Sequence, residues 1–266
     1  GSNVHVPRPM RRRKSGSGRA FIPVGNVGTT MSVSFDFAGD VALVTGVGGA
    51  LGSSVAEAFL DAGATVCGVD LVAAESEDFL FENPDRIDFH QADFTDQSQV
   101  ADVVEAIVDD HGGLDYLANI AGTWRGGDPI DETPAETFDF LVDVNLKTAF
   151  LATKHALAHL QDGEGAVVNV SARSSLEGGE GDGIYRLTKA GIRILTETVA
   201  EENLGTVRAN AIMPSVIDTP MNREMMPGAD HDSWVDPADI ADVVAFLCSD
   251  GASVTSGAAV PVYGEA

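Results

Sequence analysis

The clearest regularity in the chain is a series of short apolar runs, each followed by a longer stretch in which apolar residues recur every three or four positions. Val41, Ala42, Leu43 and Val44 lead into Thr45 and a glycine-rich turn, after which Val55, Ala56, Phe59 and Leu60 fall on one face of a helix. An unbroken apolar run suits a strand covered on both faces, and the following spacing suits a helix lying against it. Further strands are predicted at residues 65–70, 87–93, 114–119, 166–170, 207–213 and 258–263. Helical spacing is read at residues 98–110, in one helix from about residue 134 to 160, from Gly183 onward, and from Asp236, which precedes Pro237 as a cap would. Strict alternation of strand and helix predicts an α/β fold, a single doubly wound parallel sheet with right-handed crossovers and helices on both faces.

Charge changes the picture at the N-terminus. Of 16 basic residues, six (Arg8, Arg11, Arg12, Arg13, Lys14 and Arg19) lie in the first thirty positions, which hold no acid. From Met31 onward 10 basic residues face 41 acidic ones, a net of −31, and Lys147, Lys154 and Lys189 are the only lysines. Residues 1–30 therefore read as a disordered tag or N-terminal extension. Gly1-Ser2 resembles a cloning scar, and Ser-Gly-Ser-Gly after the basic run is not the apolar core of an export signal. Residues 31–266 read as one catalytic domain of 236 residues, long enough for a sizeable core. So acidic and lysine-poor a body resembles proteins of salt-loving cells, and it argues against nucleic acid or an anionic membrane as partner. No stretch of about 20 apolar residues offers a membrane span. Cys67 and Cys248 are too few for a disulfide framework or a zinc site, so a cytoplasmic location is expected. No metal is expected: His155 and His159 form an i,i+4 pair with neither a glutamate beside His155 nor a third ligand in view.

Candidate chemistry gathers at the predicted carboxyl ends of the strands, where ligands of such sheets bind. At the first strand-to-helix turn, Gly46, Gly49, Leu51 and Gly52 form a Rossmann-type loop whose backbone can approach a pyrophosphate. Asp70 ends the second strand 18 residues after Gly52, placed to accept from a ribose 2′-hydroxyl and to repel a 2′-phosphate, which predicts NAD rather than NADP. Asp93 and Phe94 end the third strand, where they could edge an adenine pocket. Asn119, Ala121 and Gly122 form the exit of the fourth. Tyr185 and Lys189 lie one helical turn apart, so the ammonium is expected to lower the phenol pKa and make Tyr185 a proton donor and acceptor near neutrality. Tyr-x-x-x-Lys is common in ordinary helices, and its weight here comes from context.

The order of these motifs, continued by Asn145, a strand ending at Ser171 and the run Pro214 to Thr219, resembles the short-chain dehydrogenase/reductase family over residues 36–264. That resemblance implies Tyr185 as acid/base and Lys189 holding the nicotinamide ribose. It implies Asn145 anchoring a water that links Lys189 to solvent, and Pro214, Ile217 and Thr219 lying against the nicotinamide. It also implies a small-molecule carbonyl or alcohol substrate and a homodimer or homotetramer built on the helices around Asn145 and Tyr185. The chain departs from the family pattern in three places: Ala50 stands at a common glycine, Ile120 replaces a second asparagine, and Ala172 falls where a substrate-orienting serine is usual. Either Ser171 or Ser174 takes that role or the chemistry runs without it. Serine-free chemistry is known from dihydropteridine reductase, which the chain is similar to at residues 49–53, 121–127, 151–155 and 218–223, so a pterin C=N system is an alternative substrate. A non-catalytic NAD(H)-binding sensor is a third reading. Trp124, Arg173 and Ser174 are the candidate substrate contacts, Trp124 by stacking on a flat ring and Arg173 by meeting an anion.

Overall fold

The computed structural model describes residues 34–162 and 164–265; the expected N-terminal extension lies outside them. Seven parallel strands form one sheet in the order β3-β2-β1-β4-β5-β6-β7, comprising β1 Val41–Thr45, β2 Thr65–Asp70, β3 Asp88–Gln91, β4 Tyr116–Asn119, β5 Ala166–Val170, β6 Arg208–Pro214 and β7 Ala259–Val262. Helices α1 Ala50–Asp61 and α7 Pro237–Cys248 cover one face; α2 Gln97–His111, α4 Thr148–Asp162 and α5 Gly183–Glu202 cover the other. Two short helices, α3 Ala135–Leu141 and α6 Pro220–Met225, lie in the connections. The architecture is the doubly wound Rossmann-like fold that the apolar pattern predicts.

Alternation within β1 explains the layers. Ala42 and Val44 pack with Val55, Phe59, Ile240 and Val244, whereas Val41 and Leu43 pack with Val100, Val104, Leu151 and Leu160 on the far side. All of β1 is buried, as a central parallel strand requires. Chain direction across the sheet switches between β1 and β4, which pair from Ala42↔Tyr116 to Thr45↔Asn119, and the crevice at this switch point opens beyond their carboxyl ends.

Two connections matter for the site, and the second differs from expectation. The β2-to-β3 crossover carries no α-helix, only a single 3₁₀ turn at Pro84–Arg86, because residues 71–83 spend their apolar side chains Phe79 and Phe81 on the core beside α1 instead of on a helical face. The helix expected to run unbroken over residues 134–160 is interrupted at Val142–Lys147 by a π-helical segment that contains Asn145. Such segments add a residue to a turn and re-aim side chains, commonly at functional sites.

Candidate active site

The site is built outward from the end of β1. The Thr45 hydroxyl, buried, accepts from the main-chain N–H groups of Ile120 and Ala121, both at 3.1 Å, and so ties the glycine turn to the exit of β4. Gly46 has φ +69°, and a Cβ there would lie 2.9 Å from the Ala121 Cα; at Gly52 it would lie 1.9 Å from the Gly46 carbonyl oxygen. Neither position admits a side chain without moving backbone. Gly49 starts α1 with no side-chain cap and no acid in the first turn, whereas α2 and α7 are capped by Asp96 and Asp236. The free amides of α1 therefore fit a pyrophosphate. Leu51 points into the core and shapes the turn from below.

Asp70 stands beside this turn with both carboxylate oxygens held by main chain: Oδ2 accepts from Gly48 at 2.9 Å and Oδ1 from Val72 at 3.0 Å. Sequence reasoning missed the contact that completes this wall. A Cβ on Gly48 would lie 2.4 Å from the Phe79 ring, and Leu80 N–H donates to the Gly48 carbonyl at 2.7 Å. The only hint was a run of apolar residues, Phe79 to Phe81, inside an acidic stretch. Asp93 uses Oδ1 to accept from the Thr95 amide and hydroxyl. Two expected cofactor contacts are turned away from the crevice. Phe94 packs its ring into the core against α2. Asn119 directs its amide inward to Thr153 at 3.1 Å and Asn169 at 2.8 Å, leaving only its main chain near the turn.

Tyr185, Lys189 and Asn145 do converge. The Lys189 ammonium is buried, donates to the Val170 carbonyl at 3.0 Å and lies 5.9 Å from the centre of the Tyr185 ring. Asn145 accepts from Thr123 N–H at 2.7 Å and donates back to the Thr123 carbonyl at 2.9 Å and to the Thr188 hydroxyl at 3.3 Å. Thr188 in turn donates to the Tyr185 carbonyl at 2.8 Å. Gly122 allows this crowding, since a Cβ there would lie 2.9 Å from Asn145 Oδ1 and 3.1 Å from Lys189 Nζ. Thr188 and Thr123 were not anticipated; only their positions beside named residues pointed to them.

The electrostatics correct one expectation. Tyr185 is raised to about 12, by burial first and then by the carboxylate of Asp182, instead of being lowered by Lys189. Burial also lowers Lys189 to about 8, so the ammonium is itself strained and points at a carbonyl on β5. Asp182, just before α5, is ion-paired with Arg186 one turn on.

The hydroxyls near Ala172 sort themselves. Ser171, a candidate to replace the missing serine, is buried and donates to the Lys189 carbonyl at 2.7 Å, so it braces α5 and does not face the crevice. Ser175 is buried within hydrogen-bond distance of Ser171. Ser174 is half-buried and its hydroxyl makes no hydrogen bond among the described residues. Arg173 lies 4.8 Å over the Tyr263 ring. Trp124 is 45% exposed on a loop held to the next one by Gly127 N–H donating to the Gly181 carbonyl at 2.7 Å. Behind that contact, Arg125, Thr133, Thr137, Asp182 and Ile184 line a shallow cavity of about 130 Å³. Pro214 is buried and Ile217 and Thr219 are half-buried at the end of β6; the Thr219 hydroxyl caps α6 by accepting from Asn222 N–H at 3.1 Å.

Known proteins resemble the chain over this whole region. The family model described as enoyl-(acyl carrier protein) reductase matches residues 46–264. The 3-oxoacyl-[acyl-carrier-protein] reductase FabG of Thermotoga maritima is 31% identical over 240 residues, covering 85% of this chain and 97% of that protein. A short-chain dehydrogenase/reductase structure from Brucella melitensis, described as a glucose/ribitol dehydrogenase, superposes with a TM-score of 0.81 at 26% identity, covering 87% of this chain and 98% of that one. The structure of ElxO with NADP bound gives a TM-score of 0.79 at 26% identity, covering 85% and 97%.

Proposed function

Because the chain belongs to the short-chain dehydrogenase/reductase family of oxidoreductases, we propose that it is an NAD(H)-dependent enzyme moving a hydride between nicotinamide and a small carbonyl or alcohol. The observation that carries the reading is the convergence of Tyr185, Lys189 and Asn145 around Gly122 at the switch point of the sheet. The glycine turn and the uncapped start of α1 would hold the pyrophosphate, and Asp70 the ribose hydroxyls. A bound nicotinamide supplies or takes up the hydride. Tyr185, still protonated at neutrality with its pKa near 12, gives its proton to the substrate oxygen in the reducing direction. Lys189 opposes charge that develops on the phenol, and Asn145 fixes the Thr123 loop against which substrate rests.

Preference for NAD rests on Asp70 and on its surroundings. No Lys or Arg occurs between Met31 and Asp85, Leu71 beside Asp70 is 66% exposed, and a 2′-phosphate would meet a carboxylate with no cation near it in sequence. The resemblance to ElxO, whose structure holds NADP, keeps both cofactors in view, so the same assay must compare them.

A second reading is favoured by Ala172. With Ser171 locked onto Lys189, a carbonyl substrate has only Ser174 to orient it on this segment, whereas reduction of a pterin-like C=N system needs no such hydroxyl. Trp124, nearly half exposed beside the site, suits a flat substrate. A cytoplasmic dimer or tetramer completes the proposal, supported by exposed Phe138, Phe150, Leu187 and Ile194 on α3, α4 and α5.

The test is oxidation of NADH and NADPH in concentrated potassium chloride, with quinonoid dihydropterin offered beside small ketones, sugars and 3-oxoacyl thioesters. Turnover with NADH, reduced roughly 10²- to 10⁴-fold in Tyr185→Phe while NADH binding persists, is the expected result. Turnover unaffected by that substitution overturns the assignment of Tyr185. Tight NADH binding without turnover on any substrate favours the sensor reading.

A further inference from the structure

On the opposite rim of the sheet from the crevice, four side chains that no motif connects come together. Cys67 lies in the middle of β2, and Asp88 and His90 lie two residues apart on β3, so that the Cys67↔Asp88 register places all three on the face covered by α2. His111 is the last residue of α2 and reaches back to the same place. The Cys67 sulfur, an Asp88 carboxylate oxygen and a ring nitrogen of His111 lie within 4.8 Å of one another. His111 Nε2 is 2.8 Å from Asp88 Oδ2, and His90 Nε2 is 3.3 Å from that same oxygen.

His90 supplies the second observation. Its Nε2 is buried away from solvent and, although 3.3 Å from Asp88 Oδ2, completes no well-formed hydrogen bond. A buried ring nitrogen short of a good hydrogen bond, beside a carboxylate, a second imidazole and a buried thiol, is an expensive arrangement for a protein to leave uncompensated. One more positive charge at the centre would use every one of these groups.

We propose that Cys67, Asp88, His90 and His111 form a binding site for a divalent transition cation, with zinc the best match to one thiolate, two imidazoles and one carboxylate. Zinc takes such donors in tetrahedral geometry, with metal–ligand lengths of about 2.0–2.3 Å that set its ligands roughly 3.3–3.8 Å apart. The three donors within 4.8 Å need to close by about 1.5 Å at most, and His90, 3.3 Å from Asp88, turns in as the fourth. Binding replaces the S–H bond of Cys67 with a sulfur–metal bond, and the proton leaves to solvent; no oxidation is involved. Burial, then Asp88 and Asp110, push the thiol up to about 12 in the absence of a cation, and a bound cation reverses that trend. The site has a structural purpose. β3 is an edge strand reached by a crossover without an α-helix, and a cation here clamps it to β2 and to the end of α2.

Sequence spacing could not reveal the site. Cys67 and His111 are 44 positions apart and meet only through parallel pairing and the return of α2, so the expectation of no metal site is replaced by this proposal.

Cobalt(II) titration of the full chain, stripped of metal, tests it by absorbance. The expected result is one equivalent bound, with a sulfur-to-cobalt charge-transfer band and tetrahedral ligand-field bands, and displacement by zinc. Cys67→Ser should abolish the charge-transfer band, Cys248→Ser should keep it, and His111→Gln and His90→Gln, at half-buried positions, should each weaken binding at least about 10-fold. Zinc should also raise the unfolding temperature of the parent and not of Cys67→Ser. Absence of stoichiometric binding, or a charge-transfer band that survives in Cys67→Ser, overturns the proposal and leaves His111–Asp88 as an ion pair at a helix end.

Discussion

Lys189 carries a charge in a place that resists it, and the consequence can be measured without any substrate. Its pKa falls from 10.5 to about 8 on folding, so the folded protein loses that proton at lower pH than the unfolded chain. Between about pH 8 and 10.5 the unfolded state holds the extra proton, and stability rises with pH across that window. Below it the cost of the buried ammonium is present in full, at most about 3 kcal/mol by the size of the shift. Lys189→Met removes this cost and gives up one hydrogen bond to Val170, so at pH 7 it should stabilise the cofactor-free protein by roughly 1–2 kcal/mol while ending activity. By pH 10.5 that gain should vanish. Urea unfolding of both proteins at pH 7 and pH 10.5 decides the matter, and a gain independent of pH would show that folding does not lower the Lys189 pKa and that the ammonium stays charged across the window. Tyr185 behaves oppositely, since its rise from 10 to about 12 makes stability fall between those values in both proteins. At this scale the sequence was informative about which residues meet and poor on what their meeting does. Tyr185 and Lys189 share a helix, so spacing sufficed to pair them; Asp182 and burial, which set the pKa, depend on how α5 packs. Ser171 and Phe94 looked available because chain position says nothing about which way a strand end turns its side chains.

Among elements, the segment Val142–Lys147 has the most specific consequence. A regular α-helix through residues 134–160 would aim Asn145 elsewhere along its face, and the π-helical turn is what brings the side chain into its three hydrogen bonds with Thr123 and Thr188. Those bonds join the exit loop of β4 to α5, which carries Tyr185. Asn145→Ala should cost about 1–3 kcal/mol of stability, because the Thr123 amide and carbonyl lose their partner in a half-buried place. It should also lower kcat at least about 10-fold with little change in NADH affinity, since the glycine turn is untouched. Unchanged kcat in a folded variant would mean that the loop is held by other contacts. Periodicity gave every strand and the long helices because each is read from local spacing. It did not give the π-helical turn, since that arises from what neighbouring elements demand of the backbone.

For the molecule as a whole, charge is the dominant physical fact. Several of the few cations already sit beside carboxylates: Arg86 with Glu57, Lys147 with Asp143, Arg223 with Asp218. Such exposed pairs contribute little and leave most of the 41 acids facing one another across the surface. Repulsion among them favours expansion of the chain, and salt removes it as the Debye length drops from about 10 Å at 0.1 M to about 3 Å at 1 M. The hydrophobic layers on both faces of the sheet are ordinary in kind, so the deficit at low salt is electrostatic. The expected outcome is an unfolding temperature that climbs on the order of 10 °C or more from dilute buffer to about 1 M potassium chloride. Potassium chloride also strengthens apolar burial slightly, so sucrose at equal osmolality serves as the control; it promotes burial without screening charge and should give a much smaller rise. Equal rises in the two solutes would assign the effect to burial. An unfolding temperature that ignores salt altogether would mean that the carboxylates are spaced widely enough to be solvated independently, and the acidic surface would then owe nothing to a saline environment.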